Sequence, residues 1–113
     1  MKQAAYYHIE QIGGNGGHDT AGGTLAARCD LCPHACLIGE GHAGRCRSRV
    51  FRDGKLWATS YAEPCALAVD PVEKKPLNHF HPGTLCLSVA CTGCNLRCLN
   101  CQNSSISQAR PED

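Results

Sequence analysis

Apolar and polar positions alternate only over short stretches, and two of these stretches bracket a turn. In RVFRDGKLWATSY, Val50-Phe51 and Leu56-Trp57 lie on either side of Asp53-Gly54. An Asp-Gly pair between runs rich in β-branched and aromatic residues is a strong local hairpin signal, so a two-stranded ribbon is expected here. LCLSVA, Leu85 to Ala90, is a short apolar run suited to a fully buried strand, and it leads directly into the loop sequence CTGCNLRCLNC. Between these two features Pro64, Pro71, Pro76 and Pro82 punctuate AEPCALAVDPVEKKPLNHFHPG. Prolines at that density predict an extended, turn-rich path and exclude a long helix. No apolar run approaches the roughly twenty residues that a membrane-spanning helix needs.

The pattern divides the chain into three regions. Residues 1–23 read as a leader: a short mixed stretch to Ile12, then the glycine-dense GGNGGHDTAGG, which has the composition of a flexible linker. Its glycines do not form a dinucleotide-binding loop, because no preceding strand and no following helical pattern is evident. Residues 24–83 form a cysteine-rich, metal-binding region that includes the hairpin. Residues 84–113 comprise the LCLSVA strand and the cysteine loop after it.

Composition sharpens this division. Ten cysteines in 113 residues, all between Cys29 and Cys101, would suit a disulfide scaffold in a secreted chain. Met1 to Ile12, however, lacks the apolar segment of a secretory signal. In a reducing, cytoplasmic setting the same cysteines read as metal ligands or redox groups. Six aromatic residues and a single Met leave a thin core. Eleven basic against ten acidic residues give a net charge of +1, which points neither to nucleic acid nor to a membrane surface.

Two cysteine constellations carry the chemistry. Cys29, Cys32 and Cys36 in CDLCPHAC, with Cys46 in GEGHAGRC, supply four thiols, a complete set for one zinc or for an iron–sulfur cluster. Pro33 stiffens that loop, and Gly39, Gly41 and Gly44 let the return segment turn back. His34 and His42 lie within it as alternative ligands or polar loop residues. Cys94, Cys98 and Cys101 in CNLRCLNC place three thiols within eight residues. Three thiolates around a four-iron cubane leave one iron without a protein ligand. Cys65 and Cys86, in EPCALAV and TLCLSV, read as buried free thiols acting as small hydrophobes. Asp70, Glu73, Lys74, Lys75, His79 and His81 fit either a solvated turn or a substrate-positioning loop.

The strand LCLSVA, Gly93, CNLRC and CQN together resemble the radical S-adenosylmethionine enzymes. DPVEKKPLNHFHPGTLCLS, CQNSSISQ and the CxLCPHxC and GxxGxC signatures narrow the resemblance to the radical enzymes of the AmmeMemoRadiSam system, relatives of pyruvate formate-lyase activating enzymes. The likeness covers about Cys29 to Gln108. It implies an α/β fold, a partial barrel of six strand-helix units, of which this chain would hold the cysteine-rich amino-terminal region, the hairpin and the first barrel strand, mostly as loops and short strands.

The resemblance further implies a 4Fe-4S cluster held by Cys94, Cys98 and Cys101. Backbone around Gly93 and Asn95 would then make room for the cluster and cofactor. S-adenosylmethionine would bind the open iron and be cleaved to a 5'-deoxyadenosyl radical, with electrons from a flavodoxin- or ferredoxin-type reductant. The first cysteine set would hold zinc or a second iron–sulfur cluster. Asn100 and Asn78 stand where the family has an aromatic or large apolar residue and a Tyr, respectively. Cys91 reads as a spare thiol, since a fourth ligand would close the cluster. The missing strand-helix units imply that this chain alone is inactive. The alternative to an enzyme is a non-catalytic zinc or iron–sulfur module.

Overall fold

The computed structural model describes residues 1–13 and 23–110. Among these residues eight short strands run in chain order: β1 Lys2–Gln3, β2 Tyr7–Ile12, β3 Thr24–Cys29, β4 Leu37–Gly39, β5 Arg49–Arg52, β6 Lys55–Ala58, β7 Ala66–Pro71 and β8 Leu85–Ala90. A 3-10 turn covers Val72–Lys74, and one helix, α1, covers Ser104–Ser107. The strands form three small antiparallel sheets, ordered β1-β6-β5, β2-β3-β4 and β7-β8. No helix among the described residues is long and apolar enough to cross a membrane.

The Asp-Gly hairpin forms as expected. Arg52 pairs with Lys55, and Asp53 and Gly54 both take positive φ, +53° and +68°. That is the mirror-image turn whose twist matches the flanking strands, and Asp and Gly are residues that tolerate it. The indole Nε1 of Trp57 donates to the Arg52 carbonyl at 3.1 Å and braces the turn. Phe51 and Leu56, paired across the ribbon, are both fully buried.

The first two sheets share one core: Ala4, Phe51 and Leu56 from one pack with Ala27, Cys29 and Ile38 from the other. Alanines at positions 26 and 27 have no exposed surface, so β3 lies tightly against its neighbours. Residues 1–12 are therefore not a leader. Lys2–Gln3 pairs with β6, and Tyr7–Ile12 pairs along its whole length with β3. The flexible-linker expectation falls mainly on residues 14–22, which lie outside the described residues. A strand does precede the glycines, and the next element among the described residues is strand β3 and not a helix.

LCLSVA is a strand with the expected bounds, but it is not buried. It pairs antiparallel with β7, a strand in the segment expected only to be extended. Registry places Leu67 against Val89 and Val69 against Leu87, and this apolar face is open, with Leu87 65% exposed. The burial expectation fails because nothing among the described residues packs over the face.

The opposite face is anchored by a charge. Asp70, 8% exposed, accepts from Lys74 Nζ at 2.8 Å, Ser88 Oγ at 2.7 Å and Lys75 Nζ at 3.3 Å. Glu73 Oε1 accepts the Gly83 N–H at 2.6 Å. The DPVEKK segment thus spends its charges on clamping its own turn to β8. The side chains of His79 and His81 make no comparable contribution: both residues are exposed, and the His81 ring stacks edge-on against Phe80.

The Lys74 ammonium and the Ser88 hydroxyl hold the Asp70 carboxyl well below the usual carboxylate range. A carboxyl depressed in the folded state contributes stability above its unfolded pKa, about 3.9 for Asp, and that contribution is lost as pH falls toward the folded value. Hydrogen exchange of the amides of β7 and β8 should therefore accelerate as pH drops below about 4, after correction for intrinsic rates. Asp70→Asn should exchange faster at neutral pH and lose that part of the acid dependence, whereas an unaltered acid profile in the variant would contradict the clamp.

Candidate metal centre

The first three cysteines run from Cys29, the last residue of β3, through the turn that joins it to β4. The Cys29 N–H donates to the Cys36 carbonyl at 2.9 Å and the Ala35 N–H to the Cys32 carbonyl at 3.1 Å, which closes the CxxCxxxC loop. Arg28 holds it from the side: its guanidinium grips both oxygens of Glu10 and donates to the Ala35 carbonyl at 3.0 Å. Cys46 arrives on a return segment clipped to β5 by Gly41 N–H to Phe51 carbonyl and Gly44 N–H to Arg49 carbonyl, both 2.8 Å. At Gly44 the return passes so close that an added Cβ would lie 3.0 Å from Ile38 Cδ1.

These two pieces bring Cys29, Cys32, Cys36 and Cys46 to the wall of one cavity of about 240 Å³, with Cys94 on the same wall. Cys29 is buried and the other four are half-buried. Two side chains donate to the sulfurs: Arg49 Nη1 to Cys29 Sγ and Ser48 Oγ to Cys46 Sγ, each at 3.4 Å. Arg49 is fixed in turn by the Ala5 carbonyl at 2.8 Å. Sequence reasoning did not single out Arg49 or Ser48. Their proximity to Cys46 in the chain was visible, but the reach of Arg49 to Cys29 depends on the packing of the two sheets.

His34 and His42 are engaged elsewhere, as polar loop residues. His34 Nε2 donates to the Asn95 carbonyl at 2.7 Å, and His42 Nδ1 to the Glu40 carbonyl at 2.9 Å.

The second cysteine loop docks onto the first. Besides the His34 contact, Arg97 Nη2 donates to the Arg45 carbonyl at 3.2 Å. Gly93, at φ +90°, packs so tightly that a Cβ would lie 2.4 Å from the Cys46 carbonyl oxygen. The close approach that requires a glycine here is thus to the backbone of Cys46. Gly93 N–H donates to the Ile106 carbonyl at 3.0 Å, folding α1 back onto the loop.

Cys94, Cys98 and Cys101 are not drawn together. Cys94 Sγ accepts from the Leu96 N–H at 3.4 Å and faces the four-cysteine cavity. Cys101 Sγ lies 3.2 Å from Ser107 Oγ, and Cys98 is exposed. Among the described residues no three His, Cys, Asp or Glu side chains are gathered closely enough to hold a single metal ion. The donor chemistry nevertheless suits a cluster: all ten cysteines are free thiols, and N–H and O–H groups already address the sulfurs. Cys91 is exposed. So is Cys65, contrary to the expected burial, because it precedes β7 at an uncovered edge of the ribbon; Cys86 is half-buried, with its thiol against the Asp70 carbonyl at 3.4 Å.

Comparison with known proteins finds a likeness to part of an archaeal protein. The chain is 51% identical over 86 residues, 76% of its length, to "Uncharacterized protein MJ0808" of Methanocaldococcus jannaschii. Those residues are 26% of that protein, so the chain spans about a quarter of the relative's length. No family profile and no solved structure matches the chain.

Replacing Gly93 by Ala forces a side chain into the left-handed region, at about 1–2 kcal/mol, and against the Cys46 carbonyl. The loop should detach from the first cysteine block, and alkylation of Cys94 and Cys46 in the metal-free protein should quicken together. Unchanged reactivity of both thiols would show that the contact does not hold the loop.

Proposed function

We propose that this chain is the cluster-binding portion of a radical S-adenosylmethionine enzyme of the AmmeMemoRadiSam type, working in the cytoplasm with a flavodoxin- or ferredoxin-type reductant. The observation that carries the reading is the path from β8 into the loop. A strand delivers the chain to Gly93 at positive φ, and three thiols free of disulfides follow at positions 94, 98 and 101. The open apolar face of the β7-β8 ribbon fits the same reading, because a two-stranded ribbon is marginal alone and gains stability when further elements cover it.

A 4Fe-4S cluster with one iron free of protein ligands would supply the electron that cleaves S-adenosylmethionine to the 5'-deoxyadenosyl radical. The chain's own part is to hold three irons through Cys94, Cys98 and Cys101. The Leu96 amide and the Ser107 hydroxyl address two of those sulfurs, and Gly93 and Asn95 seat the loop on the first cysteine block. A second reading, a non-catalytic zinc or iron–sulfur module, is favoured by the four thiols that share a cavity with Cys94 while Cys98 and Cys101 stand outside it.

The two readings separate by electron paramagnetic resonance on the 113-residue chain, loaded with iron and sulfide without air and reduced with dithionite. Under the radical-enzyme reading, S-adenosylmethionine changes the cluster signal of the wild type and not that of Cys98→Ser, and no 5'-deoxyadenosine accumulates from this chain alone. A wild-type signal indifferent to S-adenosylmethionine would favour the module, and sustained 5'-deoxyadenosine production would overturn the expected inactivity.

A further inference from the structure

The four-cysteine site admits two occupants by spacing, and its geometry distinguishes them. Zinc draws four sulfurs to about 2.3 Å from a single point, and a structural zinc site leaves no space between its ligands. Here Cys29, Cys32, Cys36 and Cys46 line the wall of a cavity of about 240 Å³, and no three of them approach closely enough to share one ion. Their backbones are well fixed: Cys29 belongs to the core, Cys32 and Cys36 are tied into the closed turn, and Cys46 is held by the return segment and by Gly93. Collapse onto a single ion would have to pull against those ties. A polynuclear group brings its own bulk and spaces its ligands apart.

The donors around the cavity point the same way. Arg49 places a guanidinium N–H on Cys29 Sγ, and Ser48 places a hydroxyl on Cys46 Sγ. Hydrogen bonds to ligand sulfurs are among the levers by which a protein tunes an iron–sulfur cluster. The positive charge of Arg49 also offsets the negative charge that four thiolates bring to the site. Both histidines of the block are occupied by backbone carbonyls, leaving the thiols as the donor set.

We propose that Cys29, Cys32, Cys36 and Cys46 hold an iron–sulfur cluster, not zinc, and that this cluster lies against the second cysteine loop through Gly93, Cys94 and Asn95. The assignment rests on the four thiols and their cavity and stands whether or not the second loop binds S-adenosylmethionine.

The test uses the full 113-residue chain carrying Cys94→Ser, Cys98→Ser and Cys101→Ser, which leaves the first site as the only complete set. It is exposed without air to iron(II) with inorganic sulfide, and in a parallel sample to zinc alone. The expected result is retention of about four iron and four sulfide per chain, with broad absorbance near 400 nm. Failure of the iron and sulfide sample to retain a cluster, whether or not the parallel sample retains one zinc, overturns the proposal. Should the triple variant fail to fold, Cys32→Ser with Cys36→Ser in the otherwise native chain gives the complementary measure. Its iron content should fall by about four per chain against the wild type, and an unchanged content overturns the proposal. A fall of that size that leaves this second variant with no iron at all supports the proposal and counts against the radical-enzyme reading alone.

Discussion

The contact on which the rest depends is the burial of Phe51 and Leu56 against Ala27, Cys29 and Ile38, where two three-stranded sheets share one small core. Neither sheet is large enough to stand by itself, and together they bury only a handful of side chains. Because Cys29 is one of them, the core and the thiol cavity are the same piece of packing seen from two sides. Ile38 fixes β4 beneath the return segment, and Gly44 lets that segment pass closely enough to present Cys46. Any occupant that joins the four thiols would cross-link β3, β4 and the approach to β5. Ligand binding in so small a domain is therefore also folding free energy, of order 10 kcal/mol for a structural metal.

The β7-β8 ribbon obeys a different logic. It is held by an ion cluster at Asp70 on one face and leaves Leu67, Val69, Leu85, Leu87 and Val89 open on the other. A sequence that reads as a buried strand is, in the structure, open on one face, with nothing among the described residues over it. The ribbon meets the first cysteine block through the loop after β8, where Gly93, His34 and Arg97 make the junction. The two cysteine constellations, separated by almost fifty residues in the chain, are thereby neighbours.

Local signals were legible in the sequence. The Asp53-Gly54 hairpin and the bounds of β8 come from turn chemistry and apolar runs, and spacing groups Cys29, Cys32, Cys36 and Cys46 as one ligand set, which the structure places on one cavity wall. Features that depend on distant pairing were not legible. Lys2–Gln3 is a strand only because β6 is there to receive it, and β7 becomes one because β8 pairs with it across a proline-rich turn. The packing of Gly93 on Cys46, the occupation of His34 by Asn95 and the reach of Arg49 to Cys29 all join residues from separate elements, and no window of sequence contains them. The acid-base character of DPVEKK was visible, but its use as a clamp on Ser88 required β8 to be in register.

The proposed cluster binding makes seven of the ten thiols two adjoining ligand sets. A mass-spectrometric alkylation footprint of all ten cysteines, taken before and after loading with iron and sulfide in the absence of air, tests it most directly. Loading should protect Cys29, Cys32, Cys36, Cys46, Cys94, Cys98 and Cys101 while exposed Cys65 and Cys91 continue to react. Protection that spares the first four, or that extends equally to Cys65 and Cys91, would contradict it.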